Sequence, residues 1–106
     1  MKCVSTDTIS DGPIRHGEVL HACAVSGANI VRDAREAITN VVGGTMSRYE
    51  TVVDGTVERA IELLRERARE KGYDGIVGLR ISHPHIREGA IEIVCIGTGF
   101  WHDKPR

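Results

Sequence analysis

The stretch Ser47–Lys71, SRYETVVDGTVERAIELLRERAREK, leaves this chain few folds to choose from. Val53, Val57, Ala60, Ile61, Leu64 and Ala68 recur at helical spacing. They fall within about 100° on a 3.6-residue wheel, which is the mark of one buried helix face. Glu58, Arg59, Glu62, Glu66, Arg69 and Glu70 take the opposite face. Gly72 follows, where a left-handed C-terminal cap belongs. Gly55 sits in the interior at a cost of about 1 kcal/mol relative to Ala. Tyr49, Val52 and Val53 nevertheless keep the apolar period across it. The spacing therefore predicts one continuous helix of roughly 37 Å. A compact domain of this length has a radius of gyration of about 13 Å, so the helix spans the subunit.

The flanking segments read as strands. Lys2–Thr6 suits a short edge strand, and Ser10–Pro13 is a turn cluster. Glu18–Val25 alternates Val19, His21, Cys23 and Val25 against Leu20, Ala22 and Ala24. Both sets are apolar or small, which predicts a strand covered on both faces. Asp33–Val42 reads as a short helix capped by Asp33 and stopped by Gly43-Gly44. Gly75–Ser82 is a strand with Val77, Leu79 and Ile81 on one face and Ile76, Gly78 and Arg80 on the other. Ala90–Phe100 pairs with it as an antiparallel hairpin, and a polar tail starts at about residue 101. The expected fold class is α+β: an antiparallel sheet with one long and one short helix on one face, in a single domain over residues 1–106.

Composition narrows the function. The net charge is -1, the pI is about 6.5 and only 4% of residues are aromatic. No clustered excess of Lys and Arg offers a general surface for nucleic acid or anionic membrane. No run of apolar residues has the length of a membrane span, and Met1–Ser10 lacks a secretory signal's apolar segment. A cytoplasmic protein is the expectation. Three widely spaced cysteines, Cys3, Cys23 and Cys95, make no disulfide framework.

A second helix strip carries Tyr49, Val52, Thr56 and Leu63. It either widens the face packed on the subunit's own sheet or forms a subunit interface. A long helix on a small domain and a final strand apolar on both faces favour association.

Taken together, Asn40–Gly44, Tyr49, the charged helix ending at Gly72, Asp74–Arg80, Glu92-Ile93 and Gly97-Thr98-Gly99 resemble the YbjQ-like family. Val4-Ser5-Thr6 and Val25-Ser26-Gly27 also fit, so the resemblance covers nearly the whole chain. The family carries a heavy-metal-binding label. The resemblance implies a subunit similar to that of dodecin, a ring-like homo-oligomer with a pentamer as the expected count, and no established catalytic activity. The His83-Pro84-His85 loop departs from the family's usual acidic or polar hairpin.

The residues offer two candidate ligand groups for a divalent or soft metal. His83 and His85 flank a proline that restricts both backbones, and imidazole suits Zn, Cu and Ni. His21 and Cys23 share a strand face, and pairing of the strands would bring Cys95 to them. Neither group supplies the four ligands of a structural zinc by itself. No nucleophile elbow or phosphate loop occurs. Gly43-Gly44 and Gly97-Thr98-Gly99 suit turns and close packing better than anion binding. The expected role is a non-catalytic homo-oligomeric binding or scaffold protein. The alternative is a carrier of a small organic or nucleotide-like ligand between subunits. An enzyme with an interface active site is the third reading.

Overall fold

The computed structural model describes residues 1–27, 46–84 and 90–103. Within them the chain forms β1 (Lys2–Cys3), β2 (Ile14–Ser26), α1 (Met46–Glu70), β3 (Gly75–Ser82) and β4 (Ile91–His102). The strands make one four-stranded sheet in the order β1-β3-β4-β2. The α+β class holds. The expected short helix over Asp33–Val42 lies outside the described residues.

The sheet is mixed rather than antiparallel. β2 and β3 each run antiparallel to β4, but β1 runs parallel to β3, with Lys2 opposite Gly75 and Cys3 opposite Ile76. No tight turn links β1 to β3, since β2 and α1 intervene, so nothing local imposes a hairpin between them.

α1 runs through Gly55 as its apolar period requires. It ends in a Schellman motif: Tyr73 N–H donates to Ala68 O and Gly72 N–H to Arg69 O, both at 3.0 Å. Gly72 takes a φ of 80°, which a residue with a Cβ adopts only at a cost. Ala60, Leu64 and Ala68, each four residues apart, are fully buried. Val53, Val57 and Ile61 flank them, half-buried. This line packs with Leu20, Ala22 and Ala24 of β2 and Ile91, Ile93 and Cys95 of β4. Fully burying a side chain such as Leu64 contributes about 1.5–3 kcal/mol.

Thr56 lies inside this core and not on a neighbour-facing strip. It is buried and shares a hydroxyl–hydroxyl hydrogen bond with Ser26. Its hydroxyl also donates to Val52 O at 2.7 Å, the bond a helical threonine makes to its own preceding turn. Val52 and Leu63 are half-buried against the same core. The side chain of Tyr49 lies outside the described set.

β2 is covered on one face only among the described residues. Leu20, Ala22, Ala24 and Ser26 are buried under α1, while Val19, His21, Cys23 and Val25 are exposed. In β3 a bulge breaks the expected alternation. Val77 pairs with Thr98 but Arg80 pairs with Ile96, so three residues answer two. Gly78, with a φ of 64°, sits at this irregularity. The bulge exchanges the faces of everything after it. Ile81 lies opposite Cys95 on the helix side, and Ile76 and Val77 are both buried.

β4 continues past the expected boundary: Trp101 and His102 are strand residues paired with Arg15 and Ile14. An aromatic clamp explains why. Tyr73, directly after the helix cap, lays its ring on the backbones of Gly17 and Gly99, and its hydroxyl accepts Glu18 N–H at 2.9 Å. Trp101 packs against Tyr73 with ring centres 4.7 Å apart and donates its indole N–H to Gly72 O at 3.1 Å. The Arg15 guanidinium lies 5.0 Å from the Trp101 ring, a cation–π contact.

The clamp gives a direct test. A Cβ at Gly99 would fall 2.4 Å from the Tyr73 ring, which is itself buried and cannot swing away. Gly99→Ala is expected to destabilise by about 1–3 kcal/mol through overpacking, read as a lower urea midpoint at unchanged slope. An unchanged midpoint would show that Tyr73 is free to move.

Candidate functional site on the sheet face opposite the long helix

The face of the sheet turned away from α1 collects the exposed alternate residues of β2 and β4. Residues opposite each other on antiparallel strands share a face. Val19 therefore lies beside Thr98, His21 beside Ile96, Cys23 beside Val94 and Val25 beside Glu92. Val19 is 65% exposed, Val25 49% and Ile96 44%. Each would be expected inside a protein that worked as a lone subunit.

His21 and Cys23 stand in the middle of this apolar surface, both exposed. Two positions along one strand place them about 6.6 Å apart. An imidazole nitrogen and a thiolate at that spacing can both reach one soft ion, whose bonds are about 2.0–2.3 Å long. Cys95 does not join them. It pairs with Ala22 and is buried under the helix, on the other side of the sheet. Strand parity decides this, because odd-numbered residues of β2 look out where odd-numbered residues of β4 look in. Among the described residues no group of three His, Cys, Asp or Glu side chains could hold a metal ion.

The other histidines are scattered. His83 is exposed just beyond β3, and His85 lies outside the described residues. His16 Nε2 lies 3.1 Å from Asp7 O, and His102 meets Phe100 edge-on. On the helix, Glu62 gathers both Arg65 (3.4 Å) and Arg69 (3.1 Å), a solvated ion-pair cluster. The Arg69 hydrogen bond holds the Glu62 carboxyl below its usual range.

One feature has no counterpart in the sequence reading. Arg59 and Arg67 leave the helix toward β2 and donate to backbone carbonyls, Arg59 to Val25 O at 2.6 Å and Arg67 to His21 O. Their eight-residue spacing, with Lys71 four further on, is the signal that could have marked them as one helix strip. Beside them a groove of about 290 Å³ is lined by Val19, Leu20, His21, Arg67, Glu70 and Lys71.

The buried thiols are structural. Burial pushes Cys95 above the ordinary thiol value, with the nearby Cys3 adding to it. Burial also pushes Cys3 up, and Arg65 pulls it partly back. The folded chain thus holds these protons more tightly than the unfolded chain. The stability they contribute is complete below the usual thiol pKa of 9.0 and is lost as pH rises through the higher folded values. Stability to urea is expected to fall above pH 9, and Cys95→Ala is expected to flatten that fall. An identical alkaline slope in the variant would count against the assignment.

Comparison with known proteins places the chain. The family described as "Putative heavy-metal-binding" (YbjQ_1) matches residues 1–102. A UPF0145 protein of Bacillus cereus is 32% identical over 99 residues, covering 92% of this chain and 96% of that one. Another from Bacillus anthracis is 33% identical over 85 residues, covering 80% and 82%. A crystal structure of a protein of unknown function of the DUF74 family, from Pediococcus pentosaceus, superposes with a TM-score of 0.68 over 97% of this chain and 98% of that chain. At 15% identity it supports the fold alone. No helix among the described residues is long and apolar enough to cross a membrane. On the extent of the sequence match, the chain belongs to the uncharacterised UPF0145, or YbjQ-like, family.

Proposed function

We propose that this chain is the subunit of a non-catalytic homo-oligomer that binds a soft metal ion, with His21 and Cys23 as ligands completed by the same pair from a neighbouring copy. The observation that carries this reading is their placement: two soft-metal ligands side by side in the middle of an exposed apolar strand face. The apolar residues around them favour burial against another copy. Burial in turn disfavours a free thiolate, so a metal ion is the partner that would neutralise the Cys23 sulfur there. One copy supplies two ligands, and a closed zinc site needs four. Two copies that turn this face toward each other would bring those four ligands together. The family description is consistent with that chemistry.

The same surface favours a second reading. Val19, Val94 and Ile96 would also line a site for a small organic or nucleotide-like ligand between subunits. A chromophore or metabolite released from the purified protein on denaturation would select it.

The metal reading is tested by calorimetric titration with zinc and cadmium, run beside light scattering. Wild type is expected to bind fewer ions than it has chains and to be oligomeric. His21→Ala and Cys23→Ser are each expected to weaken binding at least about tenfold, since each removes two of the four coordination bonds, one from each copy. His83→Ala/His85→Ala is expected to bind like wild type. Retained affinity in the His21 and Cys23 variants, with loss in the His83/His85 variant, would move the site to the loop. No binding by wild type would end the metal reading.

A further inference from the structure

The outer edge of β2 borders the face that carries His21 and Cys23, and the groove beside it takes in Val19 and His21. Among the described residues no strand pairs with it, although β2 is thirteen residues long. A bare edge of that length is a template for another strand unless something blunts it. Here the blunting comes from the helix. Successive residues of a strand point their backbone groups to alternate sides. The carbonyls of His21 and Val25 face away from β4, and they are the ones taken by Arg67 and Arg59. Lys71 completes the row, 3.7 Å from the Glu18 carboxylate. Arg59, Leu63, Arg67 and Lys71 thus form one helix strip, each four residues from the next, running antiparallel to Val25, His21 and Glu18. The groove of about 290 Å³ lies between this strip and the edge.

We infer that this edge is a docking site for an extended acidic peptide segment of a partner protein, added to β2 as a further strand. A strand approaching this edge needs the carbonyls that the arginines occupy. A neutral strand would displace both guanidinium groups into water. A strand carrying carboxylates receives them instead, in bidentate pairs that a single backbone carbonyl cannot offer. The freed carbonyls of His21 and Val25 then accept the incoming N–H groups.

The geometry sets the pattern. His21 and Val25 are four residues apart, about 13 Å along a strand. Arg59 and Arg67 are eight residues apart, about 12 Å along a helix. The matching segment has acidic residues four positions apart, with an apolar residue midway to meet half-buried Leu63. Glu70 also lines the groove and opposes a third carboxylate near Arg67, which limits the acidic positions to those two.

The test is fluorescence anisotropy with short labelled peptides, valine-rich, with a central isoleucine and two residues four apart that are glutamate in one peptide and glutamine in the other. Wild type is expected to prefer the glutamate peptide roughly tenfold, from two partly screened ion pairs. The preference is expected to shrink as salt is raised. Arg59→Gln/Arg67→Gln, checked by circular dichroism for an intact fold, is expected to lose the preference and to bind the glutamine peptide at least as well as wild type does. Equal binding of both peptides to wild type, or an unchanged preference in the double variant, would overturn the proposal. So would failure of both peptides to bind, including the case in which wild type and the variant differ in self-association, because the edge would then belong to a second copy.

Discussion

A single helix has one apolar stripe, and a sheet has two faces. That mismatch governs this structure. Ala60, Leu64 and Ala68 sit flush on the small residues of β2 and β4, and this contact commits the helix wholly to one side. The alanines let the helix lie close, and Leu64 fills the space between the strands. Glu62 and Arg69 then face water and pair there, and half-buried Arg65 also reaches Glu62. The sheet's other side keeps Val19, Val25 and Ile96 exposed, and the two soft-metal ligands among them. The proposed site is therefore a consequence of how the core is built.

The far end of the helix is fixed by a second, independent device. The Schellman cap turns the chain at Gly72 and delivers Tyr73 at once onto two glycine backbones. Glycine is required at Gly17 and Gly99 because the ring occupies the space a side chain would need. The indole of Trp101 closes over the tyrosine, and Arg15 over the indole. This stack joins the start of β2, the end of β4 and the helix terminus. It holds the register that sets His21 beside Ile96 and Cys23 beside Val94.

Much of this was legible in the residues. The helix, its continuation through Gly55, its cap at Gly72, the bounds of β3 and the faces of β4 all follow from periodicity and glycine placement. Three things did not follow. The parallel pairing of β1 with β3 joins segments far apart in the sequence, and no local pattern encodes it. The bulge at Gly78 shifts parity for Leu79, Arg80 and Ile81, and a glycine inside a strand signals a bulge without telling which side gains the residue. The separation of Cys95 from His21 and Cys23 depended on cross-strand register, which alternation within each strand leaves open. Thr56 failed for another reason. Its wheel position set it beside the core stripe, but Ser26 at the end of β2 gives its hydroxyl a buried partner. Both arginines that cap the β2 edge looked like ordinary solvated charges, because reach across to a strand carbonyl has no signature in a helical wheel.

We propose that copies of this chain meet on the sheet face opposite α1 and hold a soft metal there through His21 and Cys23. X-ray absorption on the zinc-loaded oligomer addresses it most directly, since it reads the atoms bound to the ion. The account predicts a mixed shell of nitrogen and sulfur, with zinc–sulfur distances of about 2.3 Å and zinc–nitrogen distances of about 2.0 Å. The sulfur shell should vanish in Cys23→Ser and persist in Cys95→Ala. A shell of nitrogen and oxygen alone, unchanged by Cys23→Ser, would contradict it.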